Sequence, residues 1–230
     1  MQTYITVPYE RPDAIPDDIE GDDWTPETLV ERVVETYTDP GETVLDPFAG
    51  FGTTLAVAER LDRIPYGVEF DSERAAFVRD RVDHGENVVH GDVFELDGSE
   101  LPTVDLCHTS PPFIAWDEGV DPFRSYDVES RTSYERYLDD VERLFDRVTE
   151  WMRADSTLVV DVANLKNDQG TFTLAWDVGR RITERVDRAK FRGETVVVWE
   201  DEESDDRTDA YGHGYDHSYC LVYDVAGGAR

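Results

Sequence analysis

Lysine is almost missing from this 230-residue chain: Lys166 and Lys190 are the only two, so arginine supplies nearly all of the 22 basic residues set against 53 acidic ones. Cysteine is scarce as well. Cys107 and Cys220 are too few for a disulfide framework, have no metal-ligand companions at close spacing, and sit in apolar strand-like runs, which predicts two buried small side chains. No run approaches the roughly 18 apolar residues that span a bilayer. No basic-then-apolar leader opens the sequence, so the expectation is a cytoplasmic protein with no membrane contact. No stretch rich in Pro, Gly or Ser divides the chain into comparable halves, and a single domain over 25–230 is expected. The preceding 1–24, with Pro8, Pro12, Pro16 and a run of acids, reads as an extended arm with little regular structure.

The net charge of −31 is not gathered into a tail. Acids are interleaved with periodic apolar residues, as in Val141-Glu142-Arg143-Leu144-Phe145-Asp146, which describes a folded core under an acidic skin. With so little lysine, the composition resembles that of proteins from salt-loving archaea, whose cytoplasmic salt screens repulsion between surface carboxylates.

Strand and helix signals alternate along the chain. Thr25-Pro26 opens a helix over roughly 26–38, and further helices are expected near 53–62, 72–83 and 171–188. Thr132 and Glu135 have capping-box spacing at the head of a longer helix, whose apolar stripe runs from Tyr134 to Trp151. Apolar runs at 44–45, 66–70, 88–89, 104–107, 157–162, 195–199 and 219–223 read as strands. This order predicts an α/β fold with a mostly parallel sheet, whose last two strands form an antiparallel hairpin across the acidic segment 201–217.

Two strings carry chemistry. Val44-Leu45-Asp46 ends a strand and leads into Pro47-Phe48-Ala49-Gly50-Phe51-Gly52-Thr53-Thr54. A glycine turn followed by a helix that Thr53 can cap offers backbone amides to a ligand at the strand's carboxyl end. A turn of this kind occurs in many nucleotide-binding folds and is weak evidence alone. Further on, Ser110-Pro111-Pro112-Phe113 follows the strand at 104–107. Prolines fix the backbone and donate no hydrogen bond, so the Ser110 hydroxyl and nearby carbonyls can accept from an amine while Phe113 stacks on a ring.

Together the strings resemble the two motifs of DNA amino-methyltransferases of the cytosine-N4 and adenine-N6 type, with Phe51 where a small residue is commoner and Phe113 where Tyr is. The resemblance implies a Rossmann-like class I methyltransferase fold with a seven-stranded sheet, S-adenosylmethionine as cofactor, and transfer of its methyl group to an exocyclic base amine. It assigns Asp46 and the glycine loop (Pro47, Phe48, Gly50, Gly52, Thr53, Thr54) to the methionine part of the cofactor, Glu69 to the ribose and Asp92 to the adenine amino group. Trp24-Thr25-Pro26-Glu27 loosely resembles the segment that closes over the cofactor. Ser in first place favours cytosine N4 in DNA. The same chemistry on ribosomal or transfer RNA, on adenine N6, or on a glutamine amide of a protein stays open.

Substrate contacts are less defined. The one cationic cluster is Arg180, Arg181, Arg185, Arg188, Lys190 and Arg192, with Glu184 and Asp187 among them, and Arg181 and Arg185 are its candidates for phosphate contact against an ordinary solvated helix face. Trp116, Phe123, Arg124, Tyr126 and Arg131 could stack on bases and meet phosphates, or form a lid over the cofactor. Tyr211, His213, Tyr215 and His217 lack the companions of a metal site and read as hairpin and surface residues.

Overall fold

The computed structural model describes residues 2–15, 24–98, 101–113, 121–123, 133–167, 170–200 and 215–227. Its order is β1 (Tyr4–Pro8), α1 (Glu27–Tyr37), β2 (Thr43–Asp46), α2 (Thr53–Arg60), β3 (Ile64–Glu69), α3 (Ser72–Arg81), β4 (Val88–His90) and β5 (Val104–Thr109). There follow α4 (Tyr134–Trp151), β6 (Met152–Val162), β7 (Leu165–Asn167), β8 (Gly170–Phe172), α5 (Leu174–Arg185), β9 (Ala189–Glu200) and β10 (His217–Val225).

The main sheet runs β1-β9-β10-β6-β5-β2-β3-β4. Among the described residues only β10 is antiparallel to its neighbours in this sheet, lying between β6 and β9 as the return arm of the expected hairpin. The chain builds outward from β2 through β3 to β4, then restarts on the other side of β2 with β5. That reversal opens a crevice at the carboxyl ends of β2 and β5, the usual ligand position in such sheets.

Apolar alternation explains the layers. All six residues of β5 are buried, with Leu106 facing α1 and Cys107 facing α4. On one side Leu29, Val30, Val33 and Val34 of α1 pack on Val44, Leu106, Val159 and Val222. On the other, Tyr137, Leu144, Phe145 and Val148 of α4, with Val178 and Ile182 of α5, cover Leu45, Leu158, Val160 and Leu221.

Four expectations are corrected. Among the described residues the sheet has eight strands, not seven, because 4–8 of the supposed irregular arm pair in parallel with β9 from Tyr4↔Val196 to Pro8↔Glu200. Prolines at the strand's end and beyond it stop the pairing without preventing it. The segment after β6 forms the β7–β8 hairpin before α5, and the Asn164 side chain accepts from Ala175 N at 3.0 Å, setting the helix start later than expected. Helix α4 is capped by Ser133, whose hydroxyl accepts from Arg136 N at 3.3 Å, while Thr132 lies outside the described residues. Helix α2 is preceded by Gly52 at φ 77°, with no side-chain cap from Thr53. A Cβ at Gly52 would approach Val78 of α3 to 2.7 Å, so glycine is demanded here by both backbone and packing.

Candidate active site

Asp46 ends β2 almost fully buried. Its Oδ1 accepts from Phe48 N at 3.1 Å and from the Thr109 hydroxyl at 2.8 Å, which joins the last residue of β2 to the last residue of β5. Burial pushes the carboxyl up to about 7; hydrogen bonds from Thr109, Phe48 and Thr54 oppose this, and the charge of Glu69 adds to it. Thr109 is a site residue the sequence reading did not single out. It looks like one more β-branched strand residue, and its partner is 63 positions away.

Gly50 turns at φ 53° and donates to Glu69 Oε2 at 2.7 Å; Asp71 N donates to Oε1 at 2.8 Å. Two backbone amides thus brace the Glu69 carboxylate, and each oxygen retains acceptor capacity. Burial pushes Glu69 upward, and these amides with Arg74 pull it back. Around Gly50 the space is open, since a Cβ there would meet only the Phe48 carbonyl at 3.9 Å. Asp92 is held by its own turn, Oδ1 accepting from Phe94 N at 2.8 Å. Phe51 packs edge-on to Phe77, with the Arg74 guanidinium 4.7 Å from its ring centre, so the large residue is packed against α3. Pro47 is buried, and the Phe48 ring lies 5.7 Å from Phe123.

After β5, Ser110 is exposed, Pro111 buried and Phe113 39% exposed. The Pro112 carbonyl accepts from the Tyr137 hydroxyl at 3.2 Å. Tyr137 in turn stacks on Phe123 at 5.4 Å, and Phe123 meets Phe94 edge-on at 5.4 Å. Phe123 is therefore core, not a base-stacking residue. Trp116, Arg124, Tyr126 and Arg131 lie outside the described residues.

The expected phosphate contact by the basic cluster meets two obstacles. Arg181 is held by three carboxylates of α4, at 2.5 Å to Asp139, 3.2 Å to Glu135 and 3.5 Å to Glu142. Moreover α5 descends from the carboxyl edge of β6 to the amino edge of β9, so Arg185 in its last turn stands at the opposite end of the sheet from Ser110. Arg188 confirms that placement by donating to the carbonyls of Thr149, Met152 and Ala226, at the junction of α4 and β6.

Two buried polar residues beside the crevice also escaped the sequence reading. Asp161, 1% exposed, accepts from the Ser218 hydroxyl at 2.8 Å, and burial pushes it up to about 6. His108 lies two positions before Ser110 and is enclosed, with no partner on either nitrogen among the described residues. The indole N–H of Trp24 and the hydroxyl of Thr28, at the head of α1, are likewise buried and have no partner among the described residues. Fixed carboxylates, an open glycine backbone and unpaired donors together fit a ligand with a ribose at one end and a charged amino acid at the other.

Residues 24–79 match the family model described as DNA methylase. That segment is similar to the DNA methylase family, and the similarity covers under half of the chain. It contains the glycine loop and Glu69. Over 48 residues the chain is 50% identical to the type II methyltransferase M.BglII of Bacillus subtilis, covering 21% of this chain and 13% of that protein. It is 41% identical over 58 residues to M2.DpnII of Streptococcus pneumoniae, covering 25% and 22%. The chain thus matches less than a quarter of the length of either relative. The class I methyltransferase fold extends over nearly the whole chain: a methyltransferase from Pyrococcus furiosus superimposes with a TM-score of 0.54 over 91% of this chain and 89% of its own, at 13% identity. Magnesium protoporphyrin IX methyltransferase from Synechocystis, solved with its bound methyl donor, gives 0.52 over 87% and 77%, at 12% identity. At such identities the likeness is one of fold.

Proposed function

We propose that this chain transfers a methyl group from S-adenosylmethionine to an exocyclic amino group of a nucleic-acid base, cytosine N4 in DNA. The carrying observation is the Thr109–Asp46 hydrogen bond, which fixes the end of the cofactor strand against the end of the strand bearing Ser110-Pro111-Pro112-Phe113. Both motifs thereby share one crevice.

Asp46 and the open backbone at Gly50 receive the methionine part, Glu69 the ribose hydroxyls and Asp92 the adenine amino group. The bound cofactor supplies an electrophilic methyl group on a sulfonium. The chain's own task is orientation: the Ser110 hydroxyl and neighbouring carbonyls accept the amine's hydrogens and turn its lone pair toward that methyl. The Tyr137 bond to the Pro112 carbonyl holds the segment still. Exposed Phe113 offers its face to the base, which a duplex yields only by flipping. No strong base is required, since the amine sheds a proton after transfer.

The test is to incubate the protein with methyl-labelled cofactor and, separately, genomic DNA, ribosomal RNA and total protein, then digest and identify the product. N4-methylcytosine in DNA is the expected result. Label confined to protein would sink the nucleic-acid reading; N6-methyladenine or labelled RNA would keep the chemistry and replace the substrate.

A further inference from the structure

The two edges of the main sheet are finished differently. At one, β4 spans only Val88–His90, and the Arg79 guanidinium donates to the Val88 carbonyl from Nε at 3.0 Å and Nη2 at 2.8 Å. A very short strand and a charged side chain are common guards against pairing with another chain. At the other, β1 is longer, and residues 2–8 read Gln-Thr-Tyr-Ile-Thr-Val-Pro, without a charged side chain in a chain of net charge −31. Its one guard, Pro8, stands at the strand's end.

Backbone alternation shows which groups β1 presents. The Thr3 carbonyl accepts from Val196 N at 3.0 Å and Tyr9 N donates to the Glu200 carbonyl at 2.9 Å, so the odd-numbered residues bond to β9. The even-numbered ones turn their amides and carbonyls away from it. These are Tyr4 and Thr6, followed by Pro8, which has no N–H to offer and ends the row. An open groove lined by Gln2, Thr3, Tyr4, Ile5, Thr6 and Arg32 runs along this row, and Tyr4 is 68% exposed. Among the described residues Arg32 is the one charge lining it, a cation suited to approach by an acidic surface.

We propose that the β1 edge is the interface between two copies of this chain, paired antiparallel about a two-fold axis at Ile5. In that register the outward amide and carbonyl of Tyr4 meet those of Thr6 in the second copy, and Thr6 meets Tyr4 in return, so one surface serves both copies. Pro8 bounds the paired row at one end; at the other, the Gln2 carbonyl already accepts from the Thr195 hydroxyl at 2.8 Å. Identical copies at −31 repel wherever their acidic skins meet, and the neutral strip beside Arg32 is where they can approach. The product is one sheet continued through both copies. It is closed to further addition, because the outer edges that remain are the guarded β4 strands.

Sedimentation in high salt, which screens the general repulsion, tests this. The expected species has twice the 26.3 kDa mass of the chain. Thr6→Pro removes an outward N–H that the chain's own sheet does not use, so the fold is kept while the dimer dissociation constant should rise about a hundredfold or more. Thr6→Val, which keeps the amide, should remain dimeric. Amide hydrogen exchange on the unmodified protein gives a readout that needs no variant: Ile5 and Val7 should be protected at every concentration, Tyr4 and Thr6 only as the dimer forms. A parent that stays monomeric overturns the proposal, and so does a dimer that survives Thr6→Pro. Protection of Tyr4 and Thr6 in a monomer would show that another part of the chain lies along the edge, and would overturn it equally.

Discussion

The two ends of the sheet treat charge in opposite ways. At the carboxyl end, Asp46, Glu69 and Asp161 are buried among backbone amides and hydroxyls. Their pKa values rise because desolvation outweighs these bonds. At the amino end Arg188 is tied to carbonyls, and along α5 Arg181 is tied to the carboxylates of α4. One end holds desolvated acceptors; the other uses its cations as internal fasteners. A count of charges along the sequence cannot tell these uses apart; it offers Arg181 and Arg185 equally as phosphate contacts or as an ordinary helix face.

The largest expected effect at the carboxyl end comes from Gly50→Val. A branched side chain at φ 53° in the open part of the crevice should abolish S-adenosylhomocysteine binding in calorimetry, and retained affinity would misplace the ligand. Next, Ser110→Ala should lower turnover by about a hundredfold, within the range for losing one transition-state hydrogen bond, with cofactor affinity nearly unchanged. An equal fall in both quantities would show that Ser110 belongs to the cofactor site.

Thr109→Val tests the joint between the motifs. Removing a hydrogen bond to the buried Asp46 should weaken S-adenosylhomocysteine about tenfold and shift the pH midpoint of binding upward from about 7. A midpoint that does not move would sever Asp46 from binding. The same carboxyl makes a stability prediction. Because its folded pKa is raised, its contribution is fully present below about pH 4, the unfolded value, and is lost as pH rises through about 7. The ligand-free melting temperature should therefore fall from pH 5 to pH 8, and Asp46→Asn with Asp161→Asn should flatten that profile. At the other end the effect is smallest. Arg181→Glu should lower the melting temperature by about 2–4 °C and leave DNA affinity unchanged. A marked loss of DNA binding would restore α5 as the substrate face.

The contrast also explains what could be read from residues alone. Both motif strings were legible because their chemistry is local: a strand end, a tight turn and a helix start within nine residues, or two prolines between a hydroxyl and a ring. Helices α1 to α4 were legible from their apolar spacing. What escaped depends on pairing across distance. Thr109 acquires its role only from Asp46, and β1 becomes a strand only because β9 offers an edge. Phe123, inside a loop-like stretch, becomes core through Phe48, Phe94 and Tyr137. His108 and Asp161 did leave a trace, as lone polar residues interrupting apolar strand runs that ordinary packing would have left uninterrupted.

The aromatic contacts have a mechanical consequence. From Phe48 through Phe123, Tyr137 and Tyr134 to Phe172, neighbouring rings lie 4.6–6.2 Å apart and connect the glycine loop, α4 and the β7–β8 hairpin. Side chains interlocked in this way resist displacement. One flank of the crevice therefore behaves as a stiff jaw, against which the Pro112 carbonyl is clamped by Tyr137. Widening the crevice on this flank would mean breaking several ring contacts at once.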